Sequence, residues 1–466
     1  MWIPHLAFVC AFASTADYDA RFTGRTLRVD YHHTGDATHE HVALEKLRIE
    51  GDWPGSRTQL VDTTGLGKYL FQAIDPASQE VLYSRGFASI YGEWETTGEA
   101  KRVWRAFEES LRLPEPKGRV QLVIKKRAHD GTFAEIFTEL VDPTSRTVDR
   151  APVSSGGTVV PIHDAGAPAT KLDVLVLADG YAEAEREKFA RDASRLVGAL
   201  LDTEPFRSRK GDINVRGLFV PSRESGISDP RRGVWKQSAF GCSFNAFESD
   251  RYVLTYSNRA LREAAAQAPY DALILLFNAR KYGGGGIFNL WATCASDTSV
   301  AEYVFVHEFG HSFAGLADEY YSSQVSYEDF VPPGTEPWEP NVTALLYPAQ
   351  LKWRDLVERS TPLPTPWGKS AYDEKDLAYQ KRRAEVAKSG SDDDAERLMA
   401  EVKTTTAPML SAEEFAGRVG AFEGAAYEAQ GLYRPAVDCI MFTRNPTTFC
   451  KVCERAVSRV IDIYAH

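Results

Sequence analysis

From about Ala20 to Arg150 the apolar positions recur with period two. Leu27, Val29 and Tyr31 alternate with Arg28, Asp30 and His32; Tyr69, Phe71 and Ala73 repeat the pattern, as do Val120, Leu122 and Ile124. Such alternation puts the apolar side chains on one face of a strand. Turn signals such as Trp53-Pro54-Gly55 and Asp75-Pro76 separate the runs. Strand follows strand, with one helix expected near Glu99 to Leu111. The pattern predicts an antiparallel β-sandwich over residues 17–150. Ser154-Ser155-Gly156-Gly157 then reads as a linker.

Beyond the linker the period changes. Leu172 to Ala178 is a continuous apolar run closed by Asp179-Gly180, the mark of a buried strand. Phe189, Ala193, Leu196, Val197 and Leu200 then fall on one helical face. Ile213 to Val220 and Ala272 to Phe277 read as further strands, and Asn258 to Gln267 as a helix. Alternating strands and helices predict an α/β domain over residues 165–466. Within it, residues 372–403 are dense in charge and poor in turn formers until Ser389-Gly390-Ser391, so an exposed helical hairpin is expected there as an insertion.

Composition narrows the function classes. The 466 residues allow two or three domains at roughly 150 residues each. Apolar residues at 43% and charged residues at 26% are ordinary for a folded chain, which argues against global disorder. A net charge of −11 without a dense Lys/Arg run is poorly suited to phosphate backbones, so no nucleic-acid partner is expected. No apolar run reaches the length of a transmembrane helix. Ile3 to Ala13 is mostly apolar and ends in Ala11-Phe12-Ala13, a small-x-small cleavage pattern, although no Lys or Arg precedes it. Residues 1–16 are therefore expected to be a signal peptide and the protein to be secreted or periplasmic. Loss of Cys10 with that signal leaves Cys242, Cys294, Cys439, Cys450 and Cys453, an odd number. Cys450-Lys451-Val452-Cys453 has zinc-knuckle or redox spacing, but no second such pair completes a four-cysteine site. Buried thiols, or a disulfide to Cys439, are expected instead.

The chemistry is concentrated in His307-Glu308-Phe309-Gly310-His311. Ser299-Val300-Ala301-Glu302 has the form of a capping box, and Gly315 stands where a left-handed helix end would fall. The helix between them is apolar nearly all round, so it is expected inside the protein. His307 and His311 are one turn apart on one face and can reach a single metal ion. Glu308 is rotated by about 100° and can reach a water beside that ion. This is the HExxH arrangement of zinc hydrolases, with zinc as the expected cofactor and Glu308 as the general base. The chain turns at Gly315 and returns Asp318 three residues later as the candidate third ligand. Glu319 and a distant Glu on another helix are the alternatives.

His307 to Tyr320, HEFGHSFAGLADEY, resembles the signature of the immunoglobulin A peptidase family of secreted zinc metallopeptidases. Leu175 to Tyr181, Gly283 to Asn289, Asn341-Val342-Thr343 and Phe422 to Pro435 are similar to that family's catalytic domain. Thr26 to Pro143 is similar to its N-terminal β-domain. The offset from Gly315 to Asp318 also resembles the metzincin pattern HExxHxxGxxH, with the glycine one residue later and a carboxylate in place of the histidine. The resemblance implies a zincin-like, metzincin-related fold, a Met-turn at Met441 beneath the metal, and a protein or peptide substrate. The Gly283–Gly286 run is expected to form an edge strand on which an extended peptide could pair. Tyr433 or Tyr320 is the candidate for oxyanion stabilisation. A non-catalytic binding protein on the same scaffold and a zinc amidase are the competing classes; the intact Glu308 argues against the first.

Overall fold

The computed structural model describes residues 15–153, 156–322, 331–446 and 448–465. The expected signal segment up to Ser14, and Ser154-Ser155 of the linker, lie outside the described residues. No helix among the described residues is long and apolar enough to cross a membrane.

Helix α1 (Thr15–Arg21) leads into strands β1 (Phe22–Gly35), β2 (Glu40–Asp52), β3 (Tyr69–Ile74) and β4 (Val81–Phe87). The short helix α2 (Ile90–Trp94) precedes β5 (Arg105–Pro116), β6 (Val120–Arg127), β7 (Phe133–Val141) and β8 (Val148–Asp149). Two four-stranded sheets result, ordered β5-β1-β2-β8 and β4-β3-β6-β7. Neighbours run antiparallel except β2 and β8. Leu27, Val29 and Tyr31 of β1 share one apolar core with Tyr69, Phe71 and Ala73 of β3 and Val120, Leu122 and Ile124 of β6. The period-two reading therefore holds for the inward residues.

One expectation fails here. The helix expected near Glu99 to Leu111 is absent, and Arg105–Pro116 is strand β5, paired with β1 from Leu27↔Leu113 to Gly35↔Arg105. Its Glu and Arg residues are good helix formers, but the long ladder to β1 outweighs local preference. The polar face of β1 is buried as well. Arg28 and Asp30 are buried, because the next domain covers that face.

That domain is built on a six-stranded sheet ordered β13-β14-β12-β10-β11-β9. Its elements are β9 (Thr158–His163), β10 (Leu172–Asp179), α3 (Arg186–Asp202), β11 (Ile213–Phe219), α4 (Asn258–Ala265), β12 (Ala272–Phe277), β13 (Gly284–Ile287), β14 (Trp291–Ala295) and α5 (Ala301–Ala314). β10 lies parallel between β11 and β12, and all its residues are buried. A strand covered on both faces has no place for alternation, hence the unbroken apolar run. The predicted inner face of α3, from Phe189 to Leu200, is buried. The chain finishes with α6 (Lys369–Ser389), α7 (Asp392–Ser411), the hairpin of β15 (Phe422–Ala425) and β16 (Glu428–Arg434), and α8 (Lys451–Tyr464). The expected helical hairpin is α6 and α7, pinned by Arg382 with both nitrogens 2.7 Å from the Glu401 carboxylate.

The core of the second domain also takes in Leu66, Ile90, Tyr91, Trp94 and Phe107 from the first. The Ala88 N–H donates to the Phe288 carbonyl across the boundary at 2.9 Å. The region around α2 is thus part of the wall on which the site is built.

Candidate functional site

Helix α5 carries the site. It begins one residue later than the capping-box reading implied, with Val300 at the cap and no side-chain cap bond. Glu302 faces Arg195 of α3 at 3.5 Å instead, and the Ser299 N–H donates to Glu396 of the helical hairpin at 2.8 Å. The end is as expected: Gly315 has φ 61° and its N–H donates to the His311 carbonyl. A Cβ there would lie 2.7 Å from the Trp338 ring, so both conformation and space require glycine.

The turn brings Asp318 back beneath the two histidines. His307 Nε2 and His311 Nε2 are 3.1 Å apart, and Asp318 Oδ1 lies 3.1 Å from the first and 3.2 Å from the second. The opposite ring nitrogens face carbonyls: His307 Nδ1 donates to Ile440 O at 2.9 Å and His311 Nδ1 to Leu316 O at 2.5 Å. A carbonyl only accepts, so each Nδ1 carries a proton, and Nε2 is the nitrogen that turns inward, offering a lone pair whenever the ring is neutral. Asp318 Oδ1 is buried without a hydrogen-bond donor. Two lone pairs and a carboxylate oxygen converging on one point repel one another unless a cation lies between them. The donor set and its outer carbonyl partners fit zinc.

Asp318 draws positive charge to this point, a metal ion when one is bound and otherwise a proton on an imidazole. Burial opposes a charge on His311, but Asp318 outweighs it and pushes the imidazole up to about 9. Burial likewise works to raise Asp318, yet the imidazoles prevail and hold its carboxyl well below the usual range. Tyr427 donates from its hydroxyl to Asp318 Oδ2 at 2.5 Å, leaving Oδ1 to face the histidines. Glu308 is half-buried in the cleft wall; burial pushes its carboxyl up, and the imidazoles pull it back only in part.

The cleft holds about 970 Å³, including solvent at its mouth. Ala88 and Glu93 of the first domain form part of its lining, together with Gly284 to Gly286 and Tyr320. β13 is an edge strand of the sheet. Its glycines let α5 come close: a Cβ on Gly286 would fall 2.4 Å from the Glu308 carbonyl oxygen and 2.8 Å from His311 Cβ. Met441 is buried where a Cβ on Gly310 would lie 3.2 Å from its sulfur, and the neighbouring Ile440 carbonyl is the one that holds His307.

Some residues fall elsewhere than expected. Tyr433 does not line the cleft; it lies on β16, where its backbone pairs with Thr343. Tyr320 does line it, beside Tyr427 and with its hydroxyl 3.3 Å from an Arg251 nitrogen. Sequence reasoning did not find Tyr427, Arg251 or Tyr303, whose hydroxyl lies 3.2 Å from His307 Nδ1. Only Tyr303 had a local signal, being one turn from His307 on the same helix face. Glu319, the rival ligand, points away into a separate buried cluster, accepting from Asn341 Nδ2 at 3.0 Å. All five described cysteines are free, so no disulfide joins Cys439 to Cys450 or Cys453.

Residues 160–461 match the family model of the IgA peptidase M64, and residues 17–138 match that of the peptidase M64 N-terminus. Among curated proteins, none matches the chain.

Proposed function

The chain belongs to the IgA peptidase M64 family, and from that premise we propose that it is an exported zinc endopeptidase working through Glu308. The observation that carries this reading is the convergence of His307, His311 and Asp318 on one point beside Glu308 in an open cleft. These three residues would hold the zinc. A bound zinc polarises a carbonyl and makes water acidic enough to lose its proton near neutral pH.

Glu308 takes that proton and then delivers it to the leaving amine. Its raised proton affinity suits both halves of the cycle, since a weakly basic carboxylate would collect the proton poorly. The Ile440 and Leu316 carbonyls keep the imidazoles in the required tautomer. Tyr320, with Arg251 beside it, is the group best placed to stabilise negative charge on the scissile oxygen. The outward backbone groups of Gly284 already pair with Arg251 and Val253. Those of Gly286, two residues on along the same edge, face the same side and offer pairing to an extended substrate.

The catalytic part takes a zincin-like fold related to metzincins, the two N-terminal sheets form a sandwich, and residues 1–16 direct export. The substrate is a protein or peptide chain. The deciding experiment incubates the zinc-loaded full chain with a denatured proteome and maps the new N-termini. Internal cleavages abolished by a chelator are expected. Turnover of small acyl amides alone would make it an amidase, and no turnover at all would leave a binding protein.

A further inference from the structure

We propose a second zinc site in this chain, closed and structural, formed by Cys439, Cys450, Cys453 and Glu319. The four side chains converge from three segments: the stretch that follows the active-site helix, the stretch around Met441, and the start of α8. Their ligand atoms all lie within 4.8 Å of one another. Cys450 Sγ is 3.6 Å from Cys453 Sγ, which is 3.9 Å from Cys439 Sγ and 3.4 Å from Glu319 Oε1.

These separations are those of a tetrahedron around zinc. Zinc–sulfur bonds of about 2.3 Å at tetrahedral angles set sulfurs about 3.8 Å apart, and an oxygen at about 2.0 Å lies about 3.5 Å from each sulfur. A disulfide would need two sulfurs at about 2.05 Å and would leave the third thiol and the carboxylate unexplained. The carboxylate is the second, independent observation. Glu319 is fully buried, and its Oε2 has no hydrogen-bond partner. An uncompensated buried carboxylate is costly, and a cation at the centre of the cluster removes that cost. Asn341 Nδ2 orients the same carboxylate from outside. Cys450 caps the N-terminus of α8, where the helix dipole favours a thiolate.

Cys439 and Cys453 are buried as well and Cys450 is partly buried, and with four protein ligands the site keeps no open position for a substrate. Its consequence is mechanical: the ion would tie the Asp318-Glu319 segment to α8 and to the stretch whose Ile440 carbonyl holds His307. The proposal stands apart from the reading of the cleft, because it uses none of the same side chains.

The test is zinc content of the full chain, purified without chelator, together with the spectrum after cobalt replacement. About two zinc ions per chain are expected, and about one in each of His307→Ala and Cys453→Ser. Cobalt should give the intense near-ultraviolet thiolate charge-transfer band in His307→Ala and lose it in Cys453→Ser. If Cys453→Ser does not fold, the cobalt spectrum of His307→Ala decides alone. A single zinc that disappears with His307→Ala, or a disulfide within the cysteine trio by peptide mapping, would overturn the second site while leaving the cleft reading intact. Zinc kept by His307→Ala at the wild-type level would overturn the cleft assignment instead.

Discussion

Asp318 and Glu319 are consecutive in sequence, yet their carboxylates enter different clusters: Asp318 Oδ1 lies 3.1 Å from His307 Nε2, and Glu319 Oε1 lies 3.4 Å from Cys453 Sγ. The segment is held by backbone bonds from the Glu319 N–H to the Met441 carbonyl and from the Ala426 N–H to the Asp318 carbonyl, and one dipeptide serves both. Asp318→Ala should therefore strip zinc from the histidine site, as His307→Ala and His311→Ala should. Glu319→Ala should leave that site loaded. Total zinc should fall by about one ion in each of the four variants, so the cobalt spectrum tells which site has emptied. The thiolate band should persist in the two histidine variants and in Asp318→Ala and be lost in Glu319→Ala; a wild-type zinc content in Asp318→Ala would remove it as a ligand.

Glu308→Gln keeps shape and ligands but loses the base. Proteolysis should fall by orders of magnitude while zinc content and the unfolding midpoint stay at wild-type values. Near-normal peptide cleavage by this variant would refute the proposed proton path.

Tyr427 fixes one oxygen of Asp318. Tyr427→Phe deletes only the hydroxyl, so the fold should persist while zinc affinity drops by roughly 10- to 100-fold, the usual effect of losing a partner that orients a ligand. Competition against a chromogenic chelator measures it. Unchanged affinity would mean that the turn at Gly315 alone orients the carboxylate.

Gly286→Ala places a methyl 2.4 Å from the Glu308 carbonyl oxygen, and backbone cannot yield cheaply. A loss of about 1–3 kcal/mol is expected, together with lower activity, as for overpacking elsewhere. Gly198→Ala is the control: it lies inside α3 with open space around the new methyl, and should stabilise by about 0.5–1 kcal/mol. Urea unfolding of the two variants should move in opposite directions.

His33 gives the first domain a pH dependence. Its ring is buried with Nδ1 3.0 Å from Glu109 and Nε2 2.8 Å from Glu40, so both nitrogens face acceptors and the doubly protonated ring fits best. Burial opposes that charge, but the two carboxylates prevail and raise the pKa from 6.5 to about 9. A pKa raised by folding contributes stability that is complete below about 6.5 and lost as pH rises through about 9. His33→Phe should flatten that part of the stability profile. A wild-type urea midpoint that does not fall between pH 6 and pH 9.5 would refute the assignment.

The sequence made legible whatever depends on local repetition. The inward faces of β1, β3 and β6, the buried β10, the inner face of α3 and the end of α5 at Gly315 all follow from periodicity or from a single glycine. The HExxH spacing likewise placed His307 and His311 on one face. What stayed hidden depends on contacts distant in sequence. β5 looked helical because its partner β1 lies far away in the chain. Period two says nothing of what lies over the polar face of β1, where Arg28 reaches Glu263 of α4. Tyr427 reaches Asp318 across 109 positions. The cysteine trio seemed incomplete because its fourth member is a carboxylate, a residue type no cysteine spacing can announce.

The buried polar face of β1 has a bearing on how such a protein can change through descent. Arg28 is sealed among Asp30 and Glu50 and reaches Glu263 of α4, while Asn258 of the same helix donates to Ser110 of β5 at 2.7 Å. A β-domain exchanged from a divergent relative would have to arrive with the matching charges, or strand an arginine in a dry seam. The two halves are therefore poor candidates for shuffling as independent modules. Substitutions on one side of the seam should accumulate in step with those on the other, so that the pair is inherited as one piece.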